Sequence, residues 1–214
     1  MTRLILIRHG QSRANLERRF AGIYDAPLTE LGERQAALSA AYVAENYKVS
    51  RVYASDLKRA YFTGKAVADA CGVEIFADER LRELSSGAWE GMLFEDIVKT
   101  YPEDFALFMN DPGASRATGG ESVAELSVRV MAALGEIAER HEGETVVIAT
   151  HATTIRAAQS MITFGDLAHM KELKWVSNAS VSVMKYENGK FEFELISYDD
   201  HLAGLITKLP DAIE

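Results

Sequence analysis

The chain's strongest pattern is a pair of uninterrupted aliphatic runs, Leu4-Ile5-Leu6-Ile7 near the start and Val146-Val147-Ile148-Ala149 far downstream. Such runs predict strands buried on both faces, as in the parallel sheet of an α/β protein. Between them, short strands alternate with helical periods. Thr29 caps a predicted helix from Glu30 to about Tyr47, with Leu31, Leu38 and Tyr42 near one face. Arg51–Ala54 reads as a short strand, followed by a helix from about Leu57 to Ala70 that stops at Gly72, and Val73–Phe76 as a further strand. Ser122-Val123-Ala124-Glu125 has capping-box spacing and opens a helix whose Val123, Leu126, Val130, Leu134 and Ile137 form one apolar stripe, read as core. A helix follows His151 to about Met161. Asn188-Gly189, set between Val181–Glu187 and Lys190–Ile196, predicts a hairpin. Phe191, Phe193 and Leu195 alternate with charged residues, so one face of the last strand is expected to be buried. The sum is a three-layer α/β/α sandwich around a mostly parallel, mixed sheet.

Ser85 to Gly120 breaks this rhythm. It is rich in aromatic residues, and Pro102 and Pro112 punctuate two predicted short helices, about Leu93–Thr100 and Glu103–Asn110. Two readings stand: a structural excursion on the sheet edge, or a helical cap that shapes a pocket above the strand ends. Ala114–Gly120 reads as a flexible return. With no internal repeat, residues 1–214 are expected to form one domain with a cap-like insertion over about 85–120. The net charge of −9 argues against nonspecific nucleic-acid binding and requires any anion site to be made locally positive. The single Cys71 fits a reducing compartment, and no leader or membrane-length apolar run is visible, so a cytoplasmic location is the expectation. Homodimerisation is left open.

Chemistry gathers at the ends of the two aliphatic runs. The first leads into Arg8-His9-Gly10 and the second, through Thr150, into His151. Ligands of open α/β sheets bind just beyond the carboxyl ends of the strands. Parallel neighbouring strands would bring the two imidazoles face to face. Each histidine alone reads as a satisfied or surface residue; the pair restricts where both can point. Two histidines and a carboxylate, His9, His151 and Glu83, could ligate a metal, but no close ligand spacing supports such a site and Arg8 and Arg59 would repel a dication. No metal or other cofactor is therefore expected.

Arg8-His9-Gly10-Gln11-Ser12, with Asn15 beyond, resembles the signature of the histidine phosphatase superfamily, which includes the cofactor-dependent phosphoglycerate mutases. The likeness continues through Arg19–Thr29, which resembles the loop after the nucleophile, and Tyr53–Ala60, which carries Arg59. It extends to Leu81-Arg82-Glu83-Leu84 with Gly87-Ala88-Trp89-Glu90-Gly91, to Gly119-Gly120-Glu121-Ser122, and to Thr150-His151. Where the family often has glycines after the second histidine, this chain has Ala152-Thr153. The resemblance implies a phosphoglycerate mutase-like fold and a metal-independent phosphatase of the histidine acid type, acting on a small phosphorylated metabolite. His9 would attack phosphorus in line, and its other ring nitrogen should then donate to a backbone carbonyl. Arg8, Arg59 and His151 would hold the phosphoryl oxygens, and Glu83 would serve as acid and base. Ser12, Asn15, Ala21, Gly22 and Ala152 would line the substrate. Outside the resemblance, Glu83 reads as a solvated carboxylate and Arg59 as a surface cation. A non-catalytic phosphate sensor is a further alternative, as is a phosphoglycerate mutase. In the mutases an arginine and then a tyrosine follow the acid–base glutamate, whereas Leu84 and Ser85 follow Glu83 here.

Overall fold

Residues 1–207 are described in the computed structural model. In chain order the main elements are β1 (Thr2–Arg8), α1 (Arg13–Leu16), α2 (Glu30–Asn46), β2 (Arg51–Ala54), α3 (Lys58–Cys71), β3 (Ile75–Ala77), α4 (Phe94–Thr100), α5 (Pro102–Asn110), α6 (Val123–Arg140), β4 (Thr145–Thr150), α7 (Ala152–Phe164), β5 (Val181–Glu187) and β6 (Lys190–Tyr198). The strands form one six-stranded sheet in the order β3-β2-β4-β1-β5-β6. β1, β2, β3 and β4 run parallel, while β5 and β6 are antiparallel additions at one edge.

Both aliphatic runs occupy the centre of this sheet, where alternate side chains face opposite layers. Leu4 and Leu6 of β1, with Val146 and Ile148 of β4, pack against the α6 stripe of Val123, Leu126, Val130, Leu134 and Ile137 and against Ile155 of α7. Ile5, Ile7 and Val147 face the other way, onto Ala40 and Val43 of α2 and Val67 of α3. Burial on both faces is the physical reason why these runs contain no polar residue. The helix caps form where the sequence places them: Thr29 accepts from Gly32 N, and Ser122 and Glu125 complete a capping box.

Some boundaries differ from expectation. The strand after Gly72 begins at Ile75, because Val73 N still donates to Ala68 O and so belongs to the helix terminus. The helix after His151 continues past Met161 to Phe164. Ala114–Gly120, expected as a flexible return, is tied down: Ser115 and Ala117 are buried, Thr118 O accepts from Ala88 N, and Ser115 O accepts from Val123 N. No described helix is long and apolar enough to cross a membrane.

The end of β1 is fixed by backbone touching backbone. A Cβ on Gly10 would lie 2.3 Å from Gly32 O, and one on Gly32 would lie 2.0 Å from Gln11 O. Gln11 N donates to Gln35 Oε1 (2.8 Å) and Thr29 N to Gln11 O (2.9 Å), so the chain leaving His9 is welded to the first turn of α2. Gly10→Ala should therefore lower stability by about 1–3 kcal/mol through overpacking. It should reduce the urea midpoint without changing the denaturant slope. A wild-type midpoint would mean that the turn of α2 moves aside at no cost.

Candidate active site

β1 and β4 are parallel neighbours with Arg8 opposite Thr150. The residues that follow them, His9 and His151, therefore meet, with ring centroids 5.2 Å apart. His9 Nδ1 lies 2.7 Å from Gly10 O. A carbonyl can only accept, so Nδ1 carries the proton and Nε2 keeps its lone pair. His151 is fully buried, with Nε2 2.8 Å from Ser55 Oγ, while its Nδ1 has no hydrogen-bond partner within the protein.

Two buried guanidiniums flank this pair. Arg8, the last residue of β1, donates from Nη1 to Val176 O. Arg59, in the first turn of α3, donates from Nη2 to Gly22 O (2.6 Å) and from Nη1 to Tyr24 O (2.9 Å). Nε of each has no partner within the protein. Burial lowers the Arg8 pKa to about 10, opposed by the charge of Glu83 and reinforced by Arg59, so it stays charged at neutral pH. Burial, then Arg59 and Arg8, push His9 well below the usual imidazole range. His151 moves the same way, by burial first and then by the charge of Arg59. Both rings are neutral in this cationic setting, as a nitrogen nucleophile requires.

Glu83 faces the guanidiniums across the site. It is buried, and its carboxylate accepts from Leu84 N (2.9 Å) and Thr153 N (3.1 Å). The position where the family often has glycine thus supplies an amide that holds the carboxylate. Arg129 supports the segment from behind, donating to the carbonyls of Arg80, Arg82 and Glu83 while paired with Glu121.

These groups line one pocket. Arg8, His9, Arg59 and Glu83 line it together with Asn15, Ala21, Gly22, Ala152 and Thr153, and Arg19 contributes a further cation. Phe20, Phe94, Phe108 and Trp175 supply aromatic wall; Phe94 and Phe108 come from α4 and α5. His151 lies behind this surface, in contact with the His9 ring. Ser12 does not line the pocket. It is fully buried, its N–H and hydroxyl both engage Asn15 Oδ1, and its hydroxyl caps α1.

Several contributors have no signal in the sequence reading. Asn178 donates from Nδ2 to His9 O (2.9 Å) and Asn15 Oδ1 (3.3 Å), and Thr63 Oγ1 accepts from Gly10 N. Arg156 is buried with its guanidinium 4.8 Å from the Trp175 ring centroid and donates to Met170 O, anchoring that wall. Trp175 stands apart from every recognisable motif; only the fold brings it here. The Ser12-x-x-Asn15 spacing, by contrast, is a cap signal legible in the sequence. Among the described residues no group of three or more His, Cys, Asp or Glu side chains is gathered as for a metal.

Paired imidazoles between buried guanidiniums, at the carboxyl ends of neighbouring parallel strands, define an enzyme class that handles phosphoryl groups through histidine. The chain belongs to the histidine phosphatase superfamily (branch 1), whose family model matches residues 4–199. It is 33% identical over 213 residues, 100% of both chains, to phosphoserine phosphatase 1 of Hydrogenobacter thermophilus. It is 35% identical over 187 residues, 87% of this chain and 86% of the relative, to a probable phosphoglycerate mutase of Enterobacter sp.. The solved structure of YhfR from Bacillus stearothermophilus matches with a TM-score of 0.90 at 31% identity, covering 94% of this chain and 100% of that one. The fold is accordingly phosphoglycerate mutase-like.

The buried imidazoles make stability depend on pH. Between their lowered folded pKa values and the ordinary value of 6.5, the unfolded chain binds more protons than the folded one. Their contribution is complete above that value and is lost as pH falls below it, by up to about 1.4 kcal/mol per pH unit for each histidine. Half-buried His201 adds to this slope and His169, partly exposed and with its pKa raised by Asp166, opposes it. Urea midpoints between pH 7.5 and 5.5 should fall for the wild type and fall less steeply for His151→Gln. An unchanged slope in the variant would show that His151 is not held neutral.

Proposed function

We propose that this protein hydrolyses small phosphomonoesters, without a metal, through a phosphohistidine on His9. The observation that carries the reading is the 2.7 Å approach of His9 Nδ1 to the carbonyl of Gly10, which calls for the proton on Nδ1 and leaves Nε2 as a lone-pair nitrogen beside two buried guanidiniums. In the first step Nε2 bonds to phosphorus, the ester P–O bond breaks, and Glu83 gives its proton to the leaving oxygen. In the second, water attacks phosphorus, Glu83 takes its proton, and the N–P bond breaks to release phosphate. Arg8 and Arg59 hold the equatorial oxygens as charge spreads over them. His151, protonated once a dianion offsets the guanidiniums, adds a third donor through Nδ1. Asn15, Ala21, Gly22 and Ala152 complete the binding surface; the amide of Ala152, first residue of α7, lies at the positive end of that helix. The finer label, a histidine acid-type phosphatase, rests on the same pairing of His9 and His151 with Glu83. The aromatic walls support reading residues 85–120 as a cap that shapes the leaving-group site.

Phosphoserine is a candidate substrate, because the Hydrogenobacter relative carries that activity in its name. A mutase reading is favoured by the name of the Enterobacter relative. The pocket supports hydrolysis instead. Among the described residues, the only lining arginine or lysine beyond Arg8 and Arg59 is Arg19, already held by Glu17 and Gly91 O, so a second phosphoryl group finds few cations there.

Rapid quenching after mixing with labelled substrate should trap an acid-labile, alkali-stable adduct on His9, with inorganic phosphate as the main product and no effect of chelators. Full activity in His9→Ala would overturn the mechanism, and isomerisation of 3-phosphoglycerate faster than hydrolysis of every monoester tested would favour the mutase. In a leaving-group series, Glu83→Gln should slow alkyl esters by about 10²–10⁴-fold and activated aryl esters much less. Equal losses across the series would assign Glu83 a binding or structural role.

A further inference from the structure

The Trp89-Glu90-Gly91 motif has no place in the chemistry derived so far, yet the Glu90 carboxylate accepts four hydrogen bonds. Its Oε1 accepts from Ser86 N (2.7 Å), Ser86 Oγ (2.9 Å) and Ile23 N (3.0 Å), and its Oε2 accepts from Tyr24 N (2.7 Å). Ser86 is fully buried and stands three residues after Glu83. Glu90 therefore joins the segment carrying the acid to the loop carrying Ala21 and Gly22.

The loop passes the contact on to Arg59. Gly22 C=O and Ile23 N–H belong to one peptide unit. Its oxygen accepts from Arg59 Nη2 at 2.6 Å, while its N–H donates to Glu90. Tyr24 adds a second link through two successive peptides: its N–H, shared with Ala21 O, donates to Glu90, and its carbonyl, in the next peptide, accepts from Arg59 Nη1 at 2.9 Å. A peptide held between a carboxylate and a guanidinium is polarised at both ends, so each bond strengthens the other. The fit is close. Gly22 has φ +49°, and a Cβ on it would lie 2.1 Å from Ser86 Oγ and 2.3 Å from Glu90 Oε1. Burial lowers the Arg59 pKa, and the charges of Glu83, then Asp25, then Glu90 oppose it.

We propose that Glu90 is a positioning residue for the phosphate clamp: through the Gly22–Ile23 peptide and Tyr24 it holds the Arg59 guanidinium in the orientation that meets the phosphoryl oxygens. The inference rests on the reading of Arg59 as part of that clamp. Glu90 does not touch substrate; removing it loosens the carbonyls that aim Arg59.

A double-mutant cycle tests this, with tungstate affinity and kcat/KM as readouts and urea midpoints as a control for folding. Glu90→Gln keeps the shape but turns an amide donor toward backbone N–H groups. It should weaken tungstate binding and lower kcat/KM by about tenfold in the wild-type background, and by less than about threefold in Arg59→Ala, because the residues act as one unit. Ser86→Ala, which removes one of the four bonds, should show the same coupling at smaller size and serves if Glu90→Gln folds poorly. Equal losses in both backgrounds, or no loss in either, would overturn the positioning role. If Arg59→Ala itself leaves tungstate affinity and turnover unchanged, the clamp reading fails, and this inference with it.

Discussion

Arg8 and Arg59 are almost completely buried, and both are held by backbone carbonyls rather than by carboxylates. Removing a guanidinium from water costs several kcal/mol, and a carbonyl returns only part of that. Half-buried Arg82 and Arg129 take the ordinary solution and pair with Asp56 and Glu121, whereas Arg156, buried behind the Trp175 wall, is held by carbonyls as Arg8 and Arg59 are. Buried guanidiniums without a carboxylate of their own leave their charge free to meet an anion in the pocket. Most of the rest follows from keeping two cations close together, in low dielectric, within a chain of net charge −9.

The imidazoles feel that constraint first. Burial and then the two nearby guanidiniums push both rings toward the neutral form, in which an imidazole nitrogen keeps its lone pair without a dedicated base. Among the described residues Glu83 is the one acidic residue that lines the pocket, and it is kept in place by two amides rather than by an arginine. The aromatic wall from Phe20, Phe94, Phe108 and Trp175 keeps the surroundings apolar, so each charge inside acts over a short, poorly screened distance. Positioning then has to come from the backbone: Gly10 against Gly32 behind the nucleophile, and the Gly22 loop beside Arg59.

Much of this was legible in the chain because it is local. A strand buried on both faces must be uniformly apolar, so β1 and β4 announce themselves. The caps at Thr29 and Ser122 need only residues three apart, and Asn188-Gly189 carries its own turn, with positive φ at both residues. The placement of His9 and His151 followed from strand ends alone. Ser12 shows the limit. The family signature placed it against substrate, but its local capping geometry with Asn15 takes up its hydroxyl, and it faces inward.

The sequence by itself determined the fold class, the strand ends that carry histidines, and the residues Arg8, His9, Arg59 and Glu83 that the fold brings to one pocket, because each rests on hydrophobic period, short-range spacing or motif order. Only the tertiary structure decided which nitrogen of His9 bears the proton, that Thr153 and Asn178 hold Glu83 and His9, that α4 and α5 face the pocket, and that Glu90 reaches Arg59 through a peptide. Those relations join residues up to 169 positions apart. They depend on the path of the backbone through space, and no local pattern of side chains encodes that path.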